Sequence, residues 1–134
     1  MFSSNTILRR LDLNGNNIGD YGIFKLTKSL KRNTNFTSLS LSHNKFTVEG
    51  FKEIASLLQK NYTINSLDLK GNKLSQESDE GFLELCKSLT LNTSLSNLEL
   101  LNIKNIPFAT TFSYFSTFLN STTSLRTLSL SCKD

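Results

Sequence analysis

The sequence has few of the residues that build disulfide-linked or metal-binding proteins. Its 134 residues include two cysteines, Cys86 and Cys132, which lie 46 residues apart and form no C-x-x-C pair. A disulfide-dense secreted scaffold or a structural zinc site needs a denser cysteine pattern. We therefore expect both thiols to be reduced and the protein to be cytoplasmic.

Long hydrophobic runs are also missing. No stretch of the sequence approaches the ~18–20 consecutive apolar residues that a membrane-spanning helix requires. The first residues lack the basic start and the apolar segment of a signal peptide. We expect no membrane span.

Residues that carry catalysis are scarce. His43 is the only histidine, and neither a G-x-x-x-x-G-K-[ST] nor a G-x-G-x-x-G phosphate-binding loop occurs. Ser42 precedes His43, but adjacent strand residues point to opposite sides, so this pair does not form a catalytic dyad. We expect no enzyme activity, no cofactor and no metal.

The charge is moderately basic, with a formal net charge of +4 and a pI near 9.2. Its densest basic stretch contains Lys25, Lys28, Lys31 and Arg32. Such a stretch is typical of the solvated face of a helix. The sequence therefore argues against nucleic acid as the partner, and electrostatic binding of nucleic acid or acidic membrane is the weakest alternative.

A repeat organises the rest of the sequence. Similar segments begin at residues 5, 33, 61, 92 and 122, with spacings of 28, 28, 31 and 30 residues. Periods of this length indicate stacked supersecondary units that share one core. We expect a single domain over 1–134, with units near 5–32, 33–60, 61–91 and 92–121 and a partial unit at 122–134.

Each unit contains an L-x-L pair in its first half, whose alternation predicts a short strand with one buried face. The pairs are Leu11/Leu13, Leu39/Leu41, Leu67/Leu69, Leu98/Leu100 and Leu128/Leu130. Three residues later come Asn16, Asn44 and Asn72, whose side-chain amides can bond the backbone of successive turns. Counting from Leu100, the same corner falls on Ile103, so we expect the turn of the fourth unit to follow an altered path.

The second half of each unit predicts a one-sided helix, because its apolar residues recur at spacings of three and four. The apolar sets are Ile23/Leu26/Leu30, Phe51/Ile54/Leu58, Phe82/Leu85/Leu89 and Phe112/Phe115/Leu119. Gly22 and Gly50 stand at the helix starts, where a crowded backbone favours glycine.

The pattern L-x-x-L-x-L-x-x-N-x-L at 8–18, 36–46 and 64–74, followed by a helix, resembles a leucine-rich repeat. The 28-residue length is similar to the ribonuclease-inhibitor-like subtype, which also occurs in tropomodulin and in activators of the Ran GTPase. This resemblance implies an α/β solenoid, a curved horseshoe segment with a parallel sheet on its concave face and helices on its convex face. It does not select a function, because these relatives use one architecture differently.

Polar residues between and beside the strand leucines would line the concave face of such a solenoid. We expect this mildly acidic face to bind a basic or hydrogen-bonding protein partner. The candidate partner-binding residues are Arg10, Asp12, Ser40, His43, Asp68, Lys70 and Glu99. A protein-interaction scaffold is the main interpretation, and a regulator of a small GTPase or another enzyme is the alternative.

Two further features are left open. Solenoid ends normally carry polar capping units, and we expect either a segment of a longer protein or a chain that stacks end to end. Four N-x-[ST] sequons occur, at Asn35, Asn61, Asn92 and Asn120. Because the sequence is rich in Asn, Ser and Thr, we interpret them as chance matches.

Overall fold

The computed structural model describes residues 7–74, 78–106 and 108–133. Strands and helices alternate along this part of the chain, one of each in the first four repeats and a strand in the fifth. The elements are β1 Arg10–Asp12, α1 Gly19–Leu30, β2 Ser38–Ser40, α2 Val48–Lys60, β3 Ser66–Asp68, α3 Glu80–Leu91, β4 Asn97–Lys104, α4 Phe108–Ser121 and β5 Thr127–Lys133.

The five strands form one parallel sheet in the order β1-β2-β3-β4-β5. Their register follows the repeat: Leu11, Leu39, Leu67, Leu98 and Leu128 are aligned from strand to strand. Each helix packs against the helices of the adjacent units. The predicted α/β solenoid is therefore confirmed, and we call the sheet face that points away from the helices the concave face.

The core lies between the sheet and the helix layer. Leu39, Leu67 and Leu98 are buried, whereas the equivalent Leu11 and Leu128 at the two ends of the sheet are only partly buried. A terminal unit has a neighbour on one side only, so its leucines stay partly open to solvent.

The predicted corner asparagines connect successive turns. Asn44 is fully buried, and its amide donates to the carbonyl oxygens of Leu13 and Ser42 at 2.8 and 3.1 Å. Its side-chain oxygen accepts from the backbone N–H groups of Asn16 and Ile18. One side chain thus bonds four backbone groups in two units, and backbone groups that fold into the interior need such partners.

A second asparagine column lies at the other end of the units, after each helix. The amide of Asn61 donates to the Leu30 and Asn33 carbonyls, and that of Asn92 donates to the Leu58 and Asn61 carbonyls. Both side chains are at most 4 % exposed. The sequons at Asn61 and Asn92 are therefore inaccessible to a glycosylating enzyme in the folded protein.

An aspartate of the first unit caps the helix of the second. One oxygen of Asp20 accepts from the backbone N–H groups of Thr47 and Gly50 at 2.7 and 2.9 Å, and the other accepts from the Thr47 hydroxyl. A negative charge at this position also complements the helix dipole of α2. A Cβ on Gly50 would lie 2.8 Å from the same carboxylate and 2.6 Å from Phe46, which confirms the crowded helix start.

The turn of the fourth unit differs from the others, as expected. β4 has eight residues, with a register irregularity between Leu100 and Ile103, whereas β1, β2 and β3 have three residues each. Ile103 is buried, and Asn105 supplies the amide that donates to the Leu74 carbonyl at 2.9 Å.

The predicted buried face of α4 is wrong. Phe112 and Leu119 are 63 % and 45 % exposed, whereas Thr111 and Phe118 are buried beside Phe115. Both sets have spacings of three and four, and Phe115 belongs to both. The irregularity in β4 changes the number of residues between strand and helix, so α4 is rotated by about one residue relative to the repeat.

We predict that Asn44→Ala lowers the free energy of unfolding by about 2–4 kcal/mol, because it removes four hydrogen bonds between a buried side chain and the backbone of two turns. Asn16→Ala is the matched control, since Asn16 occupies the same column but is exposed at the end of the stack. It should cost less than about 1 kcal/mol. Urea unfolding of both variants checks this, and equal costs would contradict the role of the column.

Candidate partner-binding face

The sheet register brings the predicted site residues into columns on the concave face. Arg10 aligns with Ser38, Ser66, Asn97 and Thr127. The next outward column contains Asp12, Ser40, Asp68, Glu99 and Ser129. Parallel strands lie ~4.8 Å apart, so the structure places all three carboxylates along one line that crosses the strands.

Two of these carboxylates are oriented by their own turns. One oxygen of Asp12 accepts from the Asn14 N–H at 3.0 Å, and one oxygen of Asp68 accepts from the Lys70 N–H at 2.9 Å. The other Asp68 oxygen accepts from the Ser40 hydroxyl at 3.3 Å. These bonds fix the positions of both acidic groups on the face.

His43 lies at the edge of this face, on a turn with left-handed backbone. Its φ is 53°, and the equivalent Gly15, Gly71 and Asn102 have φ of 71°, 70° and 54°. A Cβ on Gly71 would overlap the His43 imidazole, so the ring lies directly against that glycine. His43 is exposed, and its backbone N–H donates to the Lys70 carbonyl at 2.8 Å.

Ser42 is buried, although His43, the next residue, is exposed. Ser42 is 3 % exposed, and its hydroxyl lies 3.4 Å from the Ser40 hydroxyl.

Arg10 and Asp12 are exposed, while Ser40, Asp68, Lys70 and Glu99 are half-buried. All seven candidate residues therefore retain accessible surface on or beside the concave face.

The repeat matches a known protein family. The profile of the family described as "Leucine Rich repeat" matches residues 4–26 and 32–55, which are the first two units. The same strand, turn and helix recur in the later units. The chain folds as a leucine-rich repeat solenoid, and its first two units match that family. Its full helices and its spacings of 28 to 31 residues are consistent with the ribonuclease-inhibitor-like subtype.

Solved structures share this fold. "Leiomodin-1 Actin-Binding Site 2 (ABS2)" is 22 % identical with a TM-score of 0.82, covering 97 % of this chain and 73 % of that one. The tropomodulin C-terminal domain of Caenorhabditis elegans is 14 % identical with a TM-score of 0.78, covering 95 % and 75 %. No curated protein sequence matches.

The described residues offer little for catalysis or metal binding. Within 7–74, 78–106 and 108–133, no three His, Cys, Asp or Glu side chains are grouped to hold a metal ion. Ser42 is buried and cannot serve His43 as an accessible nucleophile. In the same ranges, no helix has the length and apolar composition needed to cross a bilayer.

One surface feature had no signal in the repeat pattern. A groove of about 360 Å³ lies on the convex side between α3 and α4, lined by Lys87, Thr90, Leu91, Tyr114 and Thr117. Tyr114 and Thr117 line the groove in the rotated position of α4. The sequence pattern fits two rotations of α4 equally well, so it could not predict the groove.

The two thiols should differ sharply in reactivity. Burial raises the pKa of Cys86 to about 12, so almost none of it is thiolate at pH 8, whereas Cys132 is exposed. We predict that iodoacetamide at pH 8 modifies the folded protein once, at Cys132, and twice after unfolding in urea. Mass spectrometry checks this with Cys132→Ser as the control, and fast modification of Cys86 in that folded variant would contradict the burial.

Proposed function

We propose that this repeat protein is a non-enzymatic scaffold that binds a protein partner on its concave face. The contact residues in this proposal are Arg10, Asp12, Ser40, His43, Asp68, Lys70 and Glu99. The regularity of the sheet supports it, because a solenoid presents its strand residues as one extended surface.

One observation carries the proposal. Asp12, Asp68 and Glu99 share a single column, although the chain has an excess of positive charge. Their neighbours in the columns are mostly hydroxyl and amide side chains, so the face combines acidic groups with many hydrogen-bonding groups. Such a surface complements a partner that presents lysine, arginine or backbone N–H groups.

Other faces carry less support for binding. Lys31 lies 3.9 Å from Glu53, and Lys25 lies over the rings of Tyr21 and Phe24, so part of the basic stretch interacts within the protein. This weakens electrostatic binding of nucleic acid or acidic membrane as an interpretation. Regulation of a small GTPase and a cytoplasmic location stay predictions.

Actin is the first specific partner to test. The leiomodin-1 structure is an actin-binding site, and its chain shares this fold over 97 % of the present sequence. At 22 % identity this likeness supports a choice of partner and nothing finer. Purified actin should be compared with affinity capture from the native cell.

We predict that the triple variant Asp12→Ala, Asp68→Ala, Glu99→Ala weakens capture of the partner at least about tenfold, because several rigid carboxylates are lost together. The matched control is Glu49→Ala, Glu80→Ala, Glu84→Ala. It removes the same charge from exposed or partly exposed convex positions. Binding to actin or to a captured partner is measured by biolayer interferometry.

The control triple variant should bind within about twofold of the unchanged protein, since exposed ion pairs contribute little stability. Equal loss in both triple variants would indicate a general charge effect instead of a concave site. Unchanged capture by the Asp12, Asp68 and Glu99 variant would contradict the assignment of the concave face.

A further inference from the structure

A column of lysines lies at the edge of the solenoid where the strands lead into the helices. Lys45 and Lys73 each follow the corner asparagine of their turn, and the backbone of Lys73 forms a parallel bridge with that of Lys104. All three lysines are exposed. We call Lys45, Lys73 and Lys104 the lysine column, and they belong to the three units whose strands have a neighbour on both sides in the sheet.

The stacking of the turns sets the spacing of the lysine column. The backbone N–H of Lys73 donates to the Phe46 carbonyl at 3.2 Å, and that of Lys104 donates to the Asn72 carbonyl at 3.4 Å. Adjacent backbones in such a stack lie ~4.8 Å apart, so the column spans about 10 Å from Lys45 to Lys104. Like charges at this spacing repel each other, which favours a bound counter-charge.

The part of the chain that the structure describes supplies no ion-pair partner to the lysine column. The acidic residues in the first turns of α1, α2 and α3 are Asp20, Glu49 and Glu80. Asp20 accepts from the backbone at the start of α2, and Glu49 and Glu80 both accept from Lys52 at 3.3 and 3.1 Å. These carboxylates therefore leave the charge of the lysine column available to a partner.

The start of α4 adds positive potential at the same edge. α4 begins at Phe108, four residues after Lys104, and its first turn contains no acidic residue. The N-terminus of a helix carries about half a positive charge. The positive potential of the lysine column therefore extends to the helix that follows it.

The acidic column of the concave face limits the width of an anionic partner. Asp68 stands five residues before Lys73, in the column that also contains Asp12 and Glu99. A broad polyanion, such as a nucleic acid duplex or an anionic bilayer, would bring phosphates close to these carboxylates as well as to the lysines, and like charges repel. A narrow acidic partner contacts the lysines alone.

An α-helix matches the spacing of the lysine column better than an extended strand does. Carboxylates at i, i+3 and i+7 lie on one face of a helix, and i and i+7 are about 10.5 Å apart along its axis. This agrees with the span of about 10 Å from Lys45 to Lys104. In an extended strand, residues on one face repeat every ~6.7 Å, so three of them span about 13 Å and fall out of step with the lysines.

We propose that the lysine column binds an acidic α-helix of a partner protein. The helix lies along the edge of the solenoid, across the strand direction, and its carboxylates at i, i+3 and i+7 each approach one lysine. This surface adds a second contact to the concave face. Charge complementarity of this kind determines the choice of partner and the rate of association more than the affinity.

The test is fluorescence anisotropy with a labelled, alanine-rich peptide of about 20 residues that carries glutamates at i, i+3 and i+7. We expect saturable binding to the 134-residue chain at low salt, and weaker binding as the salt concentration rises. Neutralising the lysine column should weaken binding at least about tenfold, because three charge pairs are lost together. This variant is Lys45→Gln, Lys73→Gln, Lys104→Gln.

The matched control variant is Lys28→Gln, Arg32→Gln, Lys60→Gln. It removes the same charge from exposed positions near the C-terminal ends of α1 and α2. It should bind the peptide within about twofold of the unchanged protein, since these charges lie far from the column and are screened. A second peptide of the same composition, with its glutamates on three different faces of the helix, should bind at least about fivefold more weakly.

Circular dichroism establishes that each variant is folded, and Lys73→Gln replaces the triple variant if the triple variant unfolds. The absence of saturable binding, an equal loss in the control variant, or equal binding of the two peptides would overturn the proposal. Tighter binding of phosphatidylserine vesicles or of a single-stranded oligonucleotide, lost in the lysine-column variant, would also overturn it.

This test is separate from that of the concave face. The variant Asp12→Ala, Asp68→Ala, Glu99→Ala keeps all three lysines of the column, so it should bind the acidic peptide at least as tightly as the unchanged protein. Loss of partner capture with peptide binding retained would therefore concern the concave face alone. Loss of peptide binding in this variant would contradict a separate site at the lysine column.

Discussion

The structure depends on the burial of backbone polar groups at the turn that follows each strand. These groups lie in the stacked turns, and a repeat by itself lacks the asparagine of the following repeat that bonds its turn. Asn44 and Asn72 solve this by bonding the backbone of the preceding unit and of their own. Asn61 and Asn92 act similarly at the opposite corner. Folding is therefore cooperative between neighbours, and no unit is stable by itself.

The same constraint creates the surface that we assign to partner binding. Because each asparagine fixes its turn relative to the next, the strands stay in register, and the residues between the leucines form straight columns. Asp12, Asp68 and Glu99 are far apart in sequence but share one column. Turn hydrogen bonds from Asn14 and Lys70 orient two of these carboxylates. Repetition in the sequence thus becomes a rigid, extended array of acidic and hydrogen-bonding groups.

The repeat made the strands, the corner asparagines and the columns predictable, since each follows from a residue type at a fixed position in the unit. The features that could not be predicted depend on contacts between units. Asp20 caps a helix that begins 28 residues later in the chain, so no local capping pattern reveals it. The rotation of α4 could not be predicted, because two sets of residues have the helical spacing of a buried face. These sets are Thr111/Phe115/Phe118 and Phe112/Phe115/Leu119. The irregularity in β4 decides that the first set is buried.

The most direct test of binding on the concave face is hydrogen exchange. Exchange is measured by peptide mass spectrometry for the protein alone and for the protein bound to its captured partner. We predict that binding slows exchange in peptides that contain β1, β2, β3 and the first half of β4, together with the turns at His43 and Lys70. Peptides from α1, α2 and α3, which lie on the convex face, should exchange at unchanged rates. Protection confined to the helices, with the strands and their turns unaffected, would contradict a binding site on the concave face.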